Sequence, residues 1–186
     1  MPTEVTTHHL ELTDPDQFRP VATGPAYELR QVAYPTPELN RSLYSTVGAA
    51  WFWYERLSWS RDRWLAFLDR PEVATWVAYV DGSPAGYFEL EDQPGGSVEI
   101  CYFGLLPAYI GQGLGGALLT DAVRAAWDRG ASRVWLHTCS LDHPSALANY
   151  LARGFSLFDT VTTMEHLPEP MPEPWPGHDG AGQSSD

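Results

Sequence analysis

A chain of 186 residues is long enough for one domain with a buried core, and 44% hydrophobic and 13% aromatic residues exclude an unstructured chain. Its 24 acidic residues against 11 basic ones, every one of them arginine, leave a formal charge of −13; such a surface repels nucleic acid and anionic membranes and concentrates cationic ligands. No leader pattern follows Met1 and no apolar run approaches the roughly 18 residues of a membrane span, so a cytoplasmic protein is expected.

Residues 1–24 are polar and punctuated by proline, and are expected to be an N-terminal extension with one possible short strand at Thr7–Leu12. Tyr27–Ala33 alternates and predicts a strand. Thr36, Pro37 and Glu38 supply an N-cap, a first-turn proline and a first-turn acid, so a helix is expected over 37–47. An aromatic block follows, Trp51, Phe52, Trp53 and Tyr54, with Trp59 beyond it. Ser60–Leu68 reads as a second capped helix, stopped before Pro71. Strands are predicted at Thr75–Val80, Ala85–Glu91 and Ser97–Gly104, separated by the turn sequences at 81–84 and 93–96. Helical spacing of apolar residues then covers 114–130, and Arg133–Cys139 is a further strand. Pro144–Ala152 is a short helix, and Phe155–Phe158 with Val161–His166 form a closing pair of strands. Residues 168–186, rich in proline, glycine and acid, are expected to be disordered. Cys101 and Cys139 fall in predicted strands and read as buried thiols.

The stretch that organises the chain runs from Leu105 to Leu119. A glycine-rich turn between strand and helix leaves backbone N–H groups free at the positive end of the helix dipole, with no Cβ to hold an anion away. Gly111, Gly113 and Gly116 satisfy G-x-G-x-x-G, the dinucleotide fingerprint. That fingerprint needs a strand running directly into the first glycine and an acid at the end of the next strand. Here residues 107–110 intervene, and the next strand ends at His137, Thr138, Cys139 and Ser140 without a carboxylate. Both conditions fail.

The pattern from Leu106 to Leu118, L-P-x-x-x-G-Q-G-L-G-x-x-L, instead resembles motif A of the GNAT (GCN5-related) N-acetyltransferases, which binds the pyrophosphate of acetyl-CoA. It departs from the usual [QR]-x-x-G-x-[GA] at its first place, where Ile110 stands, so more of the phosphate recognition would rest on backbone amides. A second signature of the family, N-x-x-A-x-x-x-Y-x-x-x-G-F, is matched by Ala146, Tyr150, Gly154 and Phe155, with His143 in place of the asparagine. The resemblance covers about residues 25–167. It implies an α/β domain with a central mixed, mostly antiparallel sheet flanked by helices and splayed between its fourth and fifth strands. Acetyl-CoA would be the co-substrate, held by Phe103, Gly104, Leu105, Leu106, Gly111, Gln112, Gly113, Leu114, Gly115, Gly116, Asn149 and Tyr150.

Moving an acetyl group from a thioester to an amine requires a bound donor, a neutral amine, a stabilised oxyanion and a protonated leaving thiolate. The resemblance assigns Tyr150 as the acid; packing alone is the other reading. Glu99, 14 residues before Gly113, matches the glutamate that serves as base in the histone-acetylating branch. Glu89 and Glu91 on the neighbouring strand, or a water chain, are the alternatives. The resemblance places the acceptor at the link between the first two helices, here Trp51, Trp53, Tyr54 and Glu55, with Glu89 and Glu99 on the adjoining strands. Core packing is the other reading for some of these rings, but four consecutive aromatics cannot all face one way, so at least one should line the cleft. An aromatic wall beside carboxylates suits a small-molecule amine. The histidines show no metal spacing, and Ser140, Asp142 and His143 make no hydrolase triad. A transferase working by direct attack, as a monomer or homodimer, without nucleic acid, membrane or metal, is therefore expected. A peptide-directed enzyme, a non-catalytic acyl-CoA-binding module of the same fold and a dinucleotide-dependent oxidoreductase are the competing readings.

Overall fold

The computed structural model describes residues 1–168; from 169 onward the expected disordered tail, His178 included, lies outside the described residues. The elements run β1 (Thr3–Leu12), β2 (Glu28–Gln31), α1 (Pro37–Gly48), α2 (Arg61–Leu68), β3 (Val73–Val80), β4 (Ser83–Gln93), β5 (Ser97–Leu105), α3 (Leu114–Asp128), β6 (Arg133–Cys139), α4 (Ala146–Ala152) and β7 (Ser156–Glu165). The seven strands form one sheet in the order β2-β3-β4-β5-β6-β1-β7. Every neighbouring pair is antiparallel except β5 and β6, which run parallel. A mixed, mostly antiparallel sheet flanked by helices is thus the observed architecture.

Each face of the sheet has its own helical cover. On one face the apolar stripe of α3 buries Leu118, Leu119, Ala122, Val123 and Ala126 against Phe88, Leu90, Val98, Ile100, Val134 and Leu136. These side chains are almost wholly removed from water, which stabilises the fold by roughly 1.5–3 kcal/mol for each large one. On the other face α1 and α2 cover β3, β4 and β5 through Leu43, Val47, Tyr44 and Trp64. Ser60 caps α2, its hydroxyl accepting the Arg63 N–H at 3.2 Å. Thr36, expected to cap α1, makes no such bond; its hydroxyl donates to the Tyr34 carbonyl. Gly104 is where α1 meets β5, since a Cβ there would lie 2.4 Å from Val47 Cγ1.

The strands at the two ends of the chain differ from expectation. The short strand foreseen at Thr7–Leu12 begins at Thr3 and lies inside the sheet, paired antiparallel with β6 on one side and β7 on the other. The closing pair foreseen at 155–166 is instead the single strand β7. No glycine or proline turn interrupts it, and β1 offers a continuous ladder along which it can pair. The irregularity between the two predicted segments becomes a bulge, where His9 pairs with Asp159 and Leu10 with Leu157. β1 takes the partner's place that the sequence reading gave to the C-terminal half of the pair.

The splay follows from the register. β5 and β6 are joined only at Ser97–Arg133, Val98–Val134 and Glu99–Trp135, and then diverge. In chain order, these are the fourth and fifth of the predicted strands when β1 is left out. Beyond Glu99 the edge of β5 that would have faced β6 is free, and the gap between the two strands is the cleft.

Candidate active site

The cleft has a volume of about 550 Å³ and is bounded by β5, β6, the turn before α3, α4 and the link between α1 and α2. At one end lies the glycine turn. Gly113 is the N-cap of α3 with φ +80°, a left-handed conformation that only glycine adopts without strain, and no side chain caps the helix. Gly111, Gly115 and Gly116 line the cleft together with Ile110, the residue that departs from the motif. The first-turn N–H groups of α3 therefore open towards the cleft, as an anion site requires. Phe103, Gly104, Leu105, Asn149 and Tyr150 also line it. Leu106, Gln112, Gly113 and Leu114 are not among its lining residues. The Leu114 side chain is buried in the core, and the Gln112 amide donates to the Ala108 carbonyl at 2.6 Å. The Leu106 backbone N–H donates to the Ala85 carbonyl, and its own carbonyl accepts the Tyr109 N–H.

Tyr150 comes from α4, packed between Phe103 and Phe155 with ring centroids 6.2 Å from each. It is buried, and burial, with the Asp142 carboxylate second, holds its phenol well above the ordinary tyrosine value. The hydroxyl is protonated at any working pH, as a proton donor must be. α4 starts at Ala146 rather than at Pro144. His143 caps the preceding turn, with Nδ1 accepting the Ser145 N–H at 3.0 Å.

The α1–α2 link forms the opposite wall. Trp51, Phe52, Trp53, Tyr54 and Glu55 all line the cleft, and Phe52 has φ +59°, a left-handed turn that sends the successive rings apart. Trp53 packs edgewise on Tyr102, with centroids 4.9 Å apart, and so is both prop and wall. Trp51 meets His143 edgewise, 5.0 Å between ring centres, joining the α1–α2 link to the turn before α4 across the cleft wall. Glu165 at the end of β7, Asp142 and Glu55 are the carboxylates that line the cleft; no arginine does, among the described residues.

Two of the expected acceptor residues are placed elsewhere. Glu89 is buried in the sheet, 2.8 Å from Arg56 Nη1, and is absent from the cleft wall. Burial raises its carboxyl above the usual range, against the opposing pull of Arg56. The Arg56 guanidinium is itself enclosed by aromatic rings, with Phe67 and Tyr102 at 4.2 and 4.4 Å. The pair braces the α1–α2 link against β4 and leaves no free carboxylate at Glu89 for an amine. Glu99 sits at the last position where β5 pairs with β6, half-buried and not on the cleft wall. Its Oε2 accepts the Gln93 amide at 2.7 Å and its Oε1 lies 3.4 Å from His137 Nδ1. Glu91, the fallback, is held by Arg70 at 2.5 Å.

The sequence reading missed His137 and Cys139. Both project from β6 beyond the splay, on the face opposite to Leu136 and Thr138, and both line the cleft. Strand alternation carried that signal: from Arg133 every second side chain points away from the α3 core. Burial lifts the Cys139 thiol above its ordinary value. The Glu99 carboxylate lifts His137 above the ordinary histidine value, outweighing the contrary effect of burial.

Comparison with known proteins bears on the family and the fold. A family model described as "Acetyltransferase (GNAT) family" matches residues 27–155. An uncharacterized N-acetyltransferase of Mycobacterium tuberculosis is 34% identical over 103 residues, which are 55% of this chain and 65% of that protein. The chain thus spans less than two thirds of that relative's length. A GCN5-related N-acetyltransferase from Kribbella flavida shares the fold with a TM-score of 0.63 at 21% identity, over 86% of this chain and 57% of that one. An aminoglycoside acetyltransferase from an uncultured soil metagenomic sample is similar at a TM-score of 0.57 and 16% identity, over 68% of this chain and 86% of that one. The matched family residues begin at 27, so β1 lies outside them.

Proposed function

Since the chain belongs to the GNAT acetyltransferase family, we propose that it transfers an acetyl group from acetyl-CoA to the primary amine of a small cationic molecule, by direct attack with both substrates bound. The observation that carries this reading is the continuity of the cleft. One space joins the uncapped N-terminus of α3, the free edge of β5, the Tyr150 side chain and an aromatic, acidic wall.

Acetyl-CoA supplies the activated acetyl thioester. The backbone of the turn from Gly111 to Gly116 is suited to its pyrophosphate, because amides at a helix N-terminus need no cationic side chain to hold an anion. That is how a motif with Ile110 in place of arginine or glutamine would still bind. The edge of β5 at Phe103–Leu105 that faces away from β4 offers main-chain donors and acceptors to an amide-bearing arm and an N–H to polarise the thioester carbonyl. Tyr150, kept neutral by burial, donates its proton to the departing sulfur. The folded unit we assign to this reaction starts at Thr3, because β1 supplies Val5 and Thr7 to the cleft wall.

For the acceptor, three carboxylates and no lining arginine favour a cation, and the bridge from Trp51 to His143 favours a small body over an extended peptide. With two free cysteines, the protein suits the reducing cytoplasm, where we place the reaction. The test is thiol release from acetyl-CoA against phenethylamine, putrescine, spermidine, an aminoglycoside, free amino acids and a short peptide. Release with the cationic small amines alone is the expected result. Release with the peptide alone would turn the reading to a protein-directed enzyme, and failure to bind acetyl-CoA in a calorimetric titration would end it.

A further inference from the structure

Expecting Glu99 to be the base meets an obstacle in its surroundings. The Trp135 indole, a donor only, gives its N–H to Gln93 Oε1 at 2.9 Å. This fixes the Gln93 amide, whose NH₂ must then face Glu99 and donate to Oε2 at 2.7 Å. The other carboxylate oxygen, Oε1, faces His137 Nδ1 at 3.4 Å. One oxygen of Glu99 is taken by the Gln93 amide and the other faces an imidazole, and the residue does not line the cleft. His137 does line it, with nearly half of its side chain exposed. With Nδ1–H directed at the carboxylate, the basic nitrogen is Nε2.

We propose that His137 is the catalytic base that removes the proton from the acceptor amine, and that Glu99 is a positioning residue acting through it. The inference rests on the acetyl-transfer reading above. As the amine nitrogen bonds to the acetyl carbon, its proton passes to His137 Nε2. The carbon–sulfur bond breaks with its electron pair going to sulfur, which takes the phenolic proton of Tyr150. The imidazolium then loses its proton to solvent and the phenolate regains one, so both side chains return to their starting states. The chain from Trp135 through Gln93 and Glu99 fixes the tautomer and stabilises the imidazolium that forms.

The carboxylates acting on His137 come from three directions. Glu99 stands on β5, Asp142 on the loop after β6 and Glu55 on the α1–α2 link, while the His9 ring of β1 packs 5.9 Å away. All three carboxylates favour the protonated ring. The base is active only when neutral, so the rate should rise with pH through the raised His137 value. Removing the Glu99 charge should move that limb to lower pH.

The experiment is the pH–rate profile of thiol release with the best acceptor of the amine panel, for the wild-type chain, His137→Asn and Glu99→Gln. It is paired with an NMR titration of the imidazole resonances, which needs no turnover. His137→Asn should lower kcat by about 100-fold or more with acetyl-CoA affinity kept. Glu99→Gln should lower the plateau rate while both the acid limb and the His137 titration shift to lower pH. In that variant the side-chain oxygen is claimed by the Gln93 NH₂, so its own NH₂ then faces His137 Nδ1. An undiminished kcat in His137→Asn would overturn the inference while leaving the transferase reading intact. Loss of turnover at every pH in Glu99→Gln, with the His137 titration unmoved, would return the base to Glu99. No release by the wild-type chain with any amine would overturn the acetyl-transfer reading and this inference together.

Discussion

Tyr150 and Arg56 show two opposite uses of a buried polar side chain. Tyr150 has no charge to neutralise, and burial serves only to keep its proton in place. Tyr150→Phe removes the hydroxyl while leaving the ring contacts with Phe103 and Phe155. It should lower kcat by about 10²-fold or more with acetyl-CoA affinity unchanged. Single-turnover rates beside calorimetric binding would check this, and an unaltered kcat would remove the acid assignment. Arg56 is charged and enclosed, and its value lies in the partner it satisfies. Arg56→Met leaves Glu89 buried without a cation, and should cost about 3–5 kcal/mol. The sign of its pH dependence follows from the raised Glu89 carboxyl. A group held above its unfolded value favours the fold while protonated and opposes it as pH rises through the folded value. Without Arg56 that folded value rises further, so the loss should be larger near pH 8 than near pH 5. Urea unfolding at both would show it, and equal losses would mean that Glu89 is not the cause.

At the scale of elements, what could be read from sequence was whatever rests on local pattern. The glycine turn, α3 and the meander of β3, β4 and β5 lie where spacing and turn residues put them, and the Tyr150 helix does so apart from its first two residues. That some of the aromatic block would line the cleft was legible because four adjacent rings must diverge, and Phe52 takes the left-handed turn between them. What depended on distant pairing was not legible. Nothing in Thr3–Leu12 announces that its neighbours are β6 and β7, and nothing in 155–166 says whether its partner is itself or β1. The surroundings of Glu99 were not legible for the same reason, since the Gln93 amide that donates to it is fixed by Trp135 across two strands. The placement of β1 gives a direct expectation. Deleting residues 1–12 would leave facing edges of β6 and β7 unpaired and remove Leu10 and Leu12 from the core. The truncated chain should lose its cooperative thermal transition in circular dichroism. A truncated chain that melts like the parent would restore the view of residues 1–24 as an appendage.

Over the whole molecule, the charge of −13 and the carboxylates around the cleft act in one direction on an approaching amine. Steering of that kind is screened within a Debye length of about 10 Å at ~0.1 M salt. Raising ionic strength from ~0.01 to ~1 M should therefore lower kcat/KM for a dicationic amine by about 10-fold, with kcat unchanged. An equal fall for a neutral-bodied monoamine would trace the effect to acetyl-CoA binding instead. The sheet order also governs how the chain is made. Thr6 and Thr162, whose hydroxyls meet at 3.0 Å, are 156 residues apart. At ribosomal speeds of roughly 5–20 residues per second, β1 emerges on the order of ten seconds before β7 exists. The meander and α3 can assemble in that interval, but the first strand synthesised must wait for the last ones to flank it. Nascent chains halted short of β7 should therefore carry a protease-sensitive beginning beside an already protected middle, and full protection should arrive in one late step.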